Sequence, residues 1–185
     1  MEKEKYKEAA NAYIQAIKYN EDNADLYYNL GIAYSRINEF PLARKCFEKT
    51  VETNSNYYNA YYRLGQISLL YRDIENAENY FIQSMYEETE GKSYFQLAKI
   101  YMIKNDRNKA VMFANKAIEF DSNYFSIINQ EPIFLPIIKQ IKKPEENENK
   151  ETKKESEKEK LISEYLDNTY DLTKVLNEKE NKRKI

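Results

Sequence analysis

The stretch LYYNLGIAYSRI, residues Leu26–Ile37, places a glycine in the middle of an amphipathic helical pattern. Glycine in a helix interior costs about 1 kcal/mol relative to alanine, and the chain has only three glycines among its 185 residues. The stretch AYYRLGQISLLY, residues 60–71, repeats the feature, with Gly65 standing 34 residues after Gly31. A glycine that recurs at one interval inside a helix indicates a repeated close contact between helices, for which the lost helix propensity is offset by dispersion contacts.

The interval of about 34 residues extends well beyond the glycines. A first helix is predicted in each unit because small and apolar residues recur at i, i+3, i+4 and i+7. These residues are Tyr27, Leu30, Gly31 and Tyr34; Tyr61, Leu64, Gly65 and Ser68; and Tyr94, Leu97, Ala98 and Tyr101. A second helix is predicted from the stripe Ala43, Phe47 and Thr50 and its later counterparts. Helical hairpins of this kind cannot bury their apolar faces alone, so the sequence predicts a stack of hairpins.

These positions resemble the tetratricopeptide repeat (TPR), whose signature is W-x2-L-G-x2-Y followed by A-x3-F. Tyr27 stands where the family has Trp, and Ser68 stands where it has Tyr. In the third unit, Ala98 replaces the glycine and Ala114 replaces the aromatic residue. The resemblance implies an all-α fold, a right-handed superhelix of stacked antiparallel helix pairs.

The chain divides into a predicted TPR domain, residues 1–142, and a charged tail. The domain comprises a half repeat at 4–23, repeats at 24–57, 58–90 and 91–124, and a cap at 125–142. Residues 143–160 are rich in Lys and Glu and are predicted to be a flexible linker, and 161–181 to be an amphipathic helix. Gly91, which follows Glu90, is interpreted as a helix stop.

The half repeat 4–23 matches a second helix whose own first helix is absent from the sequence. Met1 is therefore interpreted as internal to a longer protein or as introduced, and an unusual cap is the alternative. The apolar face of residues 6–17 is expected to favour self-association, because uncovered apolar patches drive association. Its members are Tyr6, Ala9, Tyr13 and Ala16.

The composition argues against catalysis and against several classes of partner. The chain has no histidine, no glycine-rich phosphate loop and one cysteine, Cys46, which is interpreted as a buried small hydrophobe. Neither an enzymatic activity nor a cofactor or metal is expected. The net charge of −2 and the mixed charge pattern do not indicate nucleic-acid binding. No apolar run of membrane-spanning length is present, so no membrane segment is expected within this chain and a cytoplasmic location is predicted; an upstream anchor or signal is left open.

A second stripe on the first helices carries more apolar and aromatic residues than a solvated face requires. In TPR proteins this face lines a concave groove that holds peptides, so the resemblance implies a partner-binding groove. The predicted groove residues are Tyr28, Asn29, Ile32, Tyr62, Arg63, Gln66, Phe95, Lys99 and Met102. The alternative is packing between neighbouring repeats. For Ile32, Leu69 and Met102 the two interpretations carry equal weight, whereas for the aromatic residues the groove is favoured.

One TPR subclass grips the C-terminal carboxylate of heat-shock chaperones with a clamp of Lys, Asn and Arg. Asn29 and Arg63 stand at two positions of that clamp, but Asn59 stands where the clamp has Lys. Ordinary surface polarity is the favoured interpretation of these residues.

Two functions from different classes follow from the sequence. The first is a non-enzymatic adaptor or scaffold that binds a protein or peptide segment in the groove. The alternative is a structural or self-associating part of a longer TPR array in an assembly or envelope protein. An enzyme remains a third possibility only if a catalytic region precedes Met1.

Overall fold

The computed structural model describes residues 2–86 and 89–144, and in that part of the chain all regular structure is helical. The helices are α1 (Glu2–Tyr19), α2 (Ala24–Arg36), α3 (Phe40–Thr53), α4 (Tyr58–Leu70), α5 (Ile74–Gln83), α6 (Glu90–Ile103), α7 (Arg107–Phe120) and α8 (Asn123–Gln130), followed by a 3-10 helix (Pro132–Gln140). They belong to one compact unit that ends at Pro144. The predicted all-α repeat fold is confirmed. Apart from residues 143 and 144, the predicted linker and the predicted helix 161–181 lie outside the described residues.

Each hairpin turns through one residue in the left-handed region of backbone conformation. These residues are Asn38, Arg72 and Asn105, with φ values of 67°, 60° and 58°. The helix after the turn is capped in two of the three hairpins: the Asp73 carboxylate accepts a hydrogen bond from the backbone N–H of Asn76, and Asp106 does the same in the next repeat. The turn is therefore repeated in backbone geometry as well as in sequence, and it returns the chain antiparallel to the first helix.

The recurrent glycines mark where the two helices of one repeat cross. A Cβ atom built on Gly31 would lie 2.7 Å from Cε1 of Phe47, and one on Gly65 would lie 2.8 Å from the matching atom of Phe81. Both phenylalanine rings are fully buried. The second helix therefore places its aromatic ring directly against the backbone of the first, where only glycine leaves room.

Gly91 does not end a helix, so the interpretation of this residue as a helix stop was wrong. It is the second residue of α6 and is buried. A Cβ atom at Gly91 would overlap the ring of Phe120 at the end of α7. Gly91 therefore serves the same purpose as the two earlier glycines, close approach of an aromatic ring, although it occupies a different position in the repeat.

The half repeat at the N-terminus forms α1, which packs on α2. Ala10 is the fully buried residue of α1, in a cluster with Leu30, Ala33 and Cys46. Tyr13, one of the predicted association residues, packs against this cluster and is half-buried. Burial raises the pKa of the Cys46 thiol to about 11, so this cysteine is a buried, protonated side chain.

The predicted cap contributes α8 and the 3-10 helix to the C-terminal end of the stack. Pro132 opens the 3-10 helix and Pro136 lies within it, and the chain keeps the tighter helical form across both prolines. Phe134 and Ile137 are fully buried against Ala114 and its neighbours from α6 and α7. This segment supplies the aromatic ring that the third repeat lacks, because Ala114 stands where the earlier repeats have phenylalanine.

Candidate functional site

The nine sequence-predicted groove residues lie on α2, α4 and α6, three on each helix. Eight of the nine are half-buried and one, Asn29, is exposed. The first helices therefore present a face whose side chains are partly covered by their neighbours and partly open. We call it the first-helix face, and its three sections differ in what covers them.

On α2, Tyr28 lies between two other rings. Its centroid is 5.6 Å from that of Phe47 and 4.8 Å from that of Tyr57. The Tyr57 hydroxyl donates a 2.8 Å hydrogen bond to Asp25, and burial together with this carboxylate raises the pKa of Tyr57. Tyr28 is thus held in an aromatic stack with a ring of α3 and with Tyr57, the residue immediately before α4.

On α4, Tyr62 has fewer ring contacts among the described residues than Tyr28 has. Its ring meets Phe81 edge-on at 5.4 Å, and in the described part of the chain it has no second ring against it. Gly91 stands where the neighbouring repeats have Tyr57 and Tyr124, so the second ring of the stack is missing here. Burial and then the electrostatic effect of Tyr62 raise the pKa of Tyr124.

On α6, the cap covers much of the face. The Phe95 ring lies 5.5 Å from Tyr124 and 6.0 Å from Phe134. Lys99 Nζ lies 3.3 Å from a carboxylate oxygen of Glu131 and 5.4 Å from the centre of the Phe95 ring. Met102 also packs against the C-terminal cluster. In this section the packing alternative describes the residues better than an open groove does.

A cavity of about 410 Å³ opens between α2 and α4, over the start of α3. Its lining residues are Ile32, Ser35, Arg36, Phe40, Phe47, Arg63, Gln66, Ile67 and Leu70. The floor is apolar, since Phe47 and Ile67 are buried, and Leu70 is 55% exposed at the edge. The structure therefore brings together three of the predicted residues, Ile32, Arg63 and Gln66, and leaves the other six outside this cavity.

Two arginine residues, Arg36 and Arg63, line the cavity, and no acidic residue in the described part of the chain does. Arg63 donates a 3.0 Å hydrogen bond to the side-chain oxygen of Gln66. The guanidinium carbon of Arg36 lies 5.9 Å from the centre of the Tyr6 ring. Within residues 2–86 and 89–144 neither arginine forms a salt bridge. The cavity thus combines an apolar floor with positive charge that no described carboxylate neutralises.

A single small residue distinguishes this cavity from the later helix interfaces. Ser35, Leu69 and Met102 stand at the same position of successive repeats. Leu69 packs into the cluster of Phe81 and Leu97, and Met102 packs against the C-terminal cluster. Serine lacks the volume of either side chain, so the space that leucine fills in the next interface stays open beside Ser35.

Sequence reasoning missed four of the lining residues that matter here. Arg36 and Leu70 were not selected, although they occupy one position of successive repeats, as does the exposed Ile103. That shared register was the signal that could have revealed them. Phe40 and Ile67 gave no such signal, because their side chains fit equally well into a closed core.

The described residues contain neither a cluster of metal-ligating side chains nor a helix of membrane-spanning character. Among residues 2–86 and 89–144, His, Cys, Asp and Glu side chains do not gather in groups of three or more that could hold a metal ion. Nor does any helix described there combine the length and apolar character needed to cross a membrane.

Comparison with known proteins identifies the repeat. A model described as TPR repeat matches residues 1–38, and models of the tetratricopeptide repeat match residues 28–93 and 91–124. The human protein O-mannosyl-transferase TMTC3 is 25% identical over 143 residues, which cover 72% of this chain and 15% of that protein. Hsp70-Hsp90 organizing protein 3 of Arabidopsis thaliana is 24% identical over 91 residues, which cover 49% of this chain and 16% of that protein. The chain thus spans only a small part of these relatives.

Solved structures lead to the same fold. The crystal structure of YrrB, described as a TPR protein with an unusual peptide-binding site, superposes with a TM-score of 0.56 at 25% identity. The match covers 64% of this chain and 62% of YrrB. Because the TPR models together extend over residues 1–124 and the helix pairs repeat at the TPR interval, the chain belongs to the tetratricopeptide-repeat family.

Proposed function

We propose that this TPR array is a protein-interaction module that binds a peptide segment of a partner protein along the first-helix face of α2 and α4. The observation that carries the proposal is the cavity between α2 and α4, which Ile32, Arg63 and Gln66 of the first-helix face line. Tyr62 lies one helical turn before Gln66 on α4 and is half-buried, with its ring edge-on to Phe81. The peptide-binding site named for YrrB and the organizing role named for the plant relative support an interaction function.

The two helices that form the proposed site, α2 and α4, are held in fixed positions. Phe47 of α3 lies against Gly31 of α2 and also belongs to a buried cluster with Leu64 and Ile67 of α4. These contacts fix the spacing of α2 and α4, so the site exists before a partner arrives. A preformed site loses little conformational freedom on binding. Its composition, apolar and aromatic with a few polar groups, is typical of peptide-recognition surfaces.

The proposed function does not include catalysis. TPR repeats are generally non-catalytic interaction units. Among the described residues, those that line the cavity include arginine, glutamine and serine but no histidine, cysteine, aspartate or glutamate. We therefore propose binding alone as the function of residues 1–144.

The test begins with selection of binders from a random peptide library displayed on phage, using the full chain as bait. Selected peptides are synthesised and titrated against wild type and Tyr62→Ala. Tyr62 lies in the centre of the face, where binding energy concentrates, so the substitution is expected to weaken binding by about 1–3 kcal/mol. Tyr19→Ala is the matched control, because Tyr19 is 91% exposed at the end of α1.

Thermal unfolding of each variant separates binding from packing. If Tyr62→Ala lowers the melting temperature and leaves every affinity unchanged, Tyr62 serves only the core and the proposed surface is misplaced. If the library yields no peptide that distinguishes Tyr62→Ala from Tyr19→Ala, the proposal is wrong.

A further inference from the structure

We infer that the cavity beside Ser35 is an anchor pocket for one large apolar side chain flanked by carboxylates, so that the partner segment is acidic with an aliphatic or aromatic residue at its centre. This inference rests on the proposed function and specifies its ligand. The cavity lies between α2 and α4. Asn29, which the sequence analysis compared with a residue of the chaperone-binding clamp, does not line it.

The apolar half of the ligand follows from the floor of the cavity. Phe47 and Ile67 are buried beneath it, and Ile32 and Phe40 are half-buried at its walls. A volume of about 410 Å³ accommodates a leucine-sized or phenylalanine-sized side chain together with adjoining backbone. Such a side chain removes apolar surface from water on both partners, which is the main source of affinity in pockets of this kind.

The acidic half follows from the charge at the rim. Arg36 and Arg63 are both among the lining residues, and no acidic residue among those that the structure describes lines the cavity. Arg63 donates one N–H group to Gln66, and its guanidinium carries further N–H donors. A carboxylate next to the anchor residue can pair with a guanidinium group in two parallel hydrogen bonds, and the low exposure of the floor strengthens that attraction.

The location of the pocket follows from the repeat. In the α4–α6 interface Leu69 occupies the position of Ser35 and packs against Phe81 and Leu97. An incoming apolar side chain beside Ser35 would take the place that Leu69 takes one repeat later. The anchor pocket is therefore the space that a leucine side chain fills one repeat later, and a leucine in place of Ser35 should fill it.

The test uses the full chain, the selected peptides and three variants. Ser35→Leu fills the pocket with the side chain of the next repeat. Arg36→Gln and Arg63→Gln remove the charge and keep hydrogen-bonding groups of similar length. Arg107→Gln, at an exposed residue at the start of α7, is the matched control for removing an arginine.

The expected result has three parts. Selected peptides share an apolar residue with Asp or Glu within two positions, and exchanging those acids for Asn or Gln weakens binding about tenfold. Arg63→Gln weakens binding of the acidic peptide by a similar factor and leaves the amide-substituted peptide unchanged, a difference that a general structural defect would not produce. Ser35→Leu reduces binding of both peptides by more than tenfold while the melting temperature stays equal or rises, and Arg107→Gln has no effect.

Two outcomes would overturn the inference, and they are distinguishable. If binding of the peptides is sensitive to Tyr62→Ala but tolerates Ser35→Leu, Arg36→Gln and Arg63→Gln, the anchor pocket is wrong and the proposed function stands. If no peptide responds to Tyr62→Ala or to any of the cavity variants, the proposed function fails and the pocket fails with it.

Discussion

Replacing Gly31 by alanine tests whether the recurrent glycines exist to admit an aromatic ring. The new Cβ atom would lie 2.7 Å from Cε1 of Phe47, whereas carbon atoms in favourable contact are separated by about 3.5–4.0 Å. Because Phe47 is fully buried, its ring can retreat only if the surrounding core expands. Overpacking of this kind costs about 1–3 kcal/mol, and alanine regains about 1 kcal/mol of helix propensity. We therefore expect Gly31→Ala to lower the free energy of unfolding by roughly 1 kcal/mol.

The assay is urea unfolding followed by far-ultraviolet circular dichroism, applied to a double-mutant cycle. Phe47→Leu removes the ring atoms that the methyl group would meet. In that background Gly31→Ala should stabilise the protein by up to about 1 kcal/mol, since only the helix-propensity gain remains. The sign of the alanine effect is thus expected to reverse between the two backgrounds.

The third repeat provides the matched control. Ala98 and Ala114 occupy the positions of Gly31 and Phe47, so this crossing already accommodates a methyl group. Ala98→Gly should therefore destabilise the protein by about 1 kcal/mol. If Gly31→Ala instead raises the stability of the wild type, or if its effect adds to that of Phe47→Leu without coupling, the close-contact explanation is refuted.

Three further predictions concern other parts of the stack. Arg72 has a φ of 60°, which a long side chain adopts at a cost, so Arg72→Gly should raise the urea midpoint by an amount equivalent to about 1 kcal/mol; an unchanged or lower midpoint would contradict this. Burial acts to raise the pKa of Glu78, but hydrogen bonds from Lys104 and Tyr101 prevail and lower it below its ordinary value of 4.5. The stabilisation by the ionised Glu78 carboxylate is present above pH 4.5 and is lost as the pH falls through the lowered pKa. Glu78→Gln should therefore lower the free energy of unfolding at neutral pH and match wild type in acid. If the variant remains less stable than wild type at low pH, the charge is not responsible. Finally, the half-covered face of residues 6–17 is predicted to promote self-association, which sedimentation equilibrium should show as a mass that rises with concentration. A strict monomer at high concentration would oppose it.

Local patterns predicted the helices and their pairing well. The spacing of Leu30, Gly31 and their counterparts defined a helical face, and the repeat interval of 34 residues predicted a stack of hairpins. Such predictions succeed because a helix needs only its own periodic sequence, and a repeat needs only its neighbour. The interpretation of Gly91 failed for the opposite reason: its partner, Phe120, lies 29 residues away at the far end of the next helix.

The candidate site was predicted only in part. The sequence pattern selected Ile32, Arg63 and Gln66, which line the cavity, together with six residues that lie outside it. Lys99 pairs with Glu131 in the cap, and no repeat pattern connects the two. The capping segment interrupts the repeat, so what it covers could not be inferred from the units that precede it.

The sequence by itself determined the repeat, the helical hairpins and the residues that face inward, because these follow from composition and spacing along one chain. Only the tertiary structure decided where space remains. The cavity beside Ser35 arises because side chains from α2, α3 and α4 surround a space that the small side chain of Ser35 does not fill. A void is a property of several surfaces at once, and so is the unneutralised charge of Arg36 and Arg63 at its edge. Both depend on how closely the helices approach, which the buried contacts of Phe47 set in three dimensions.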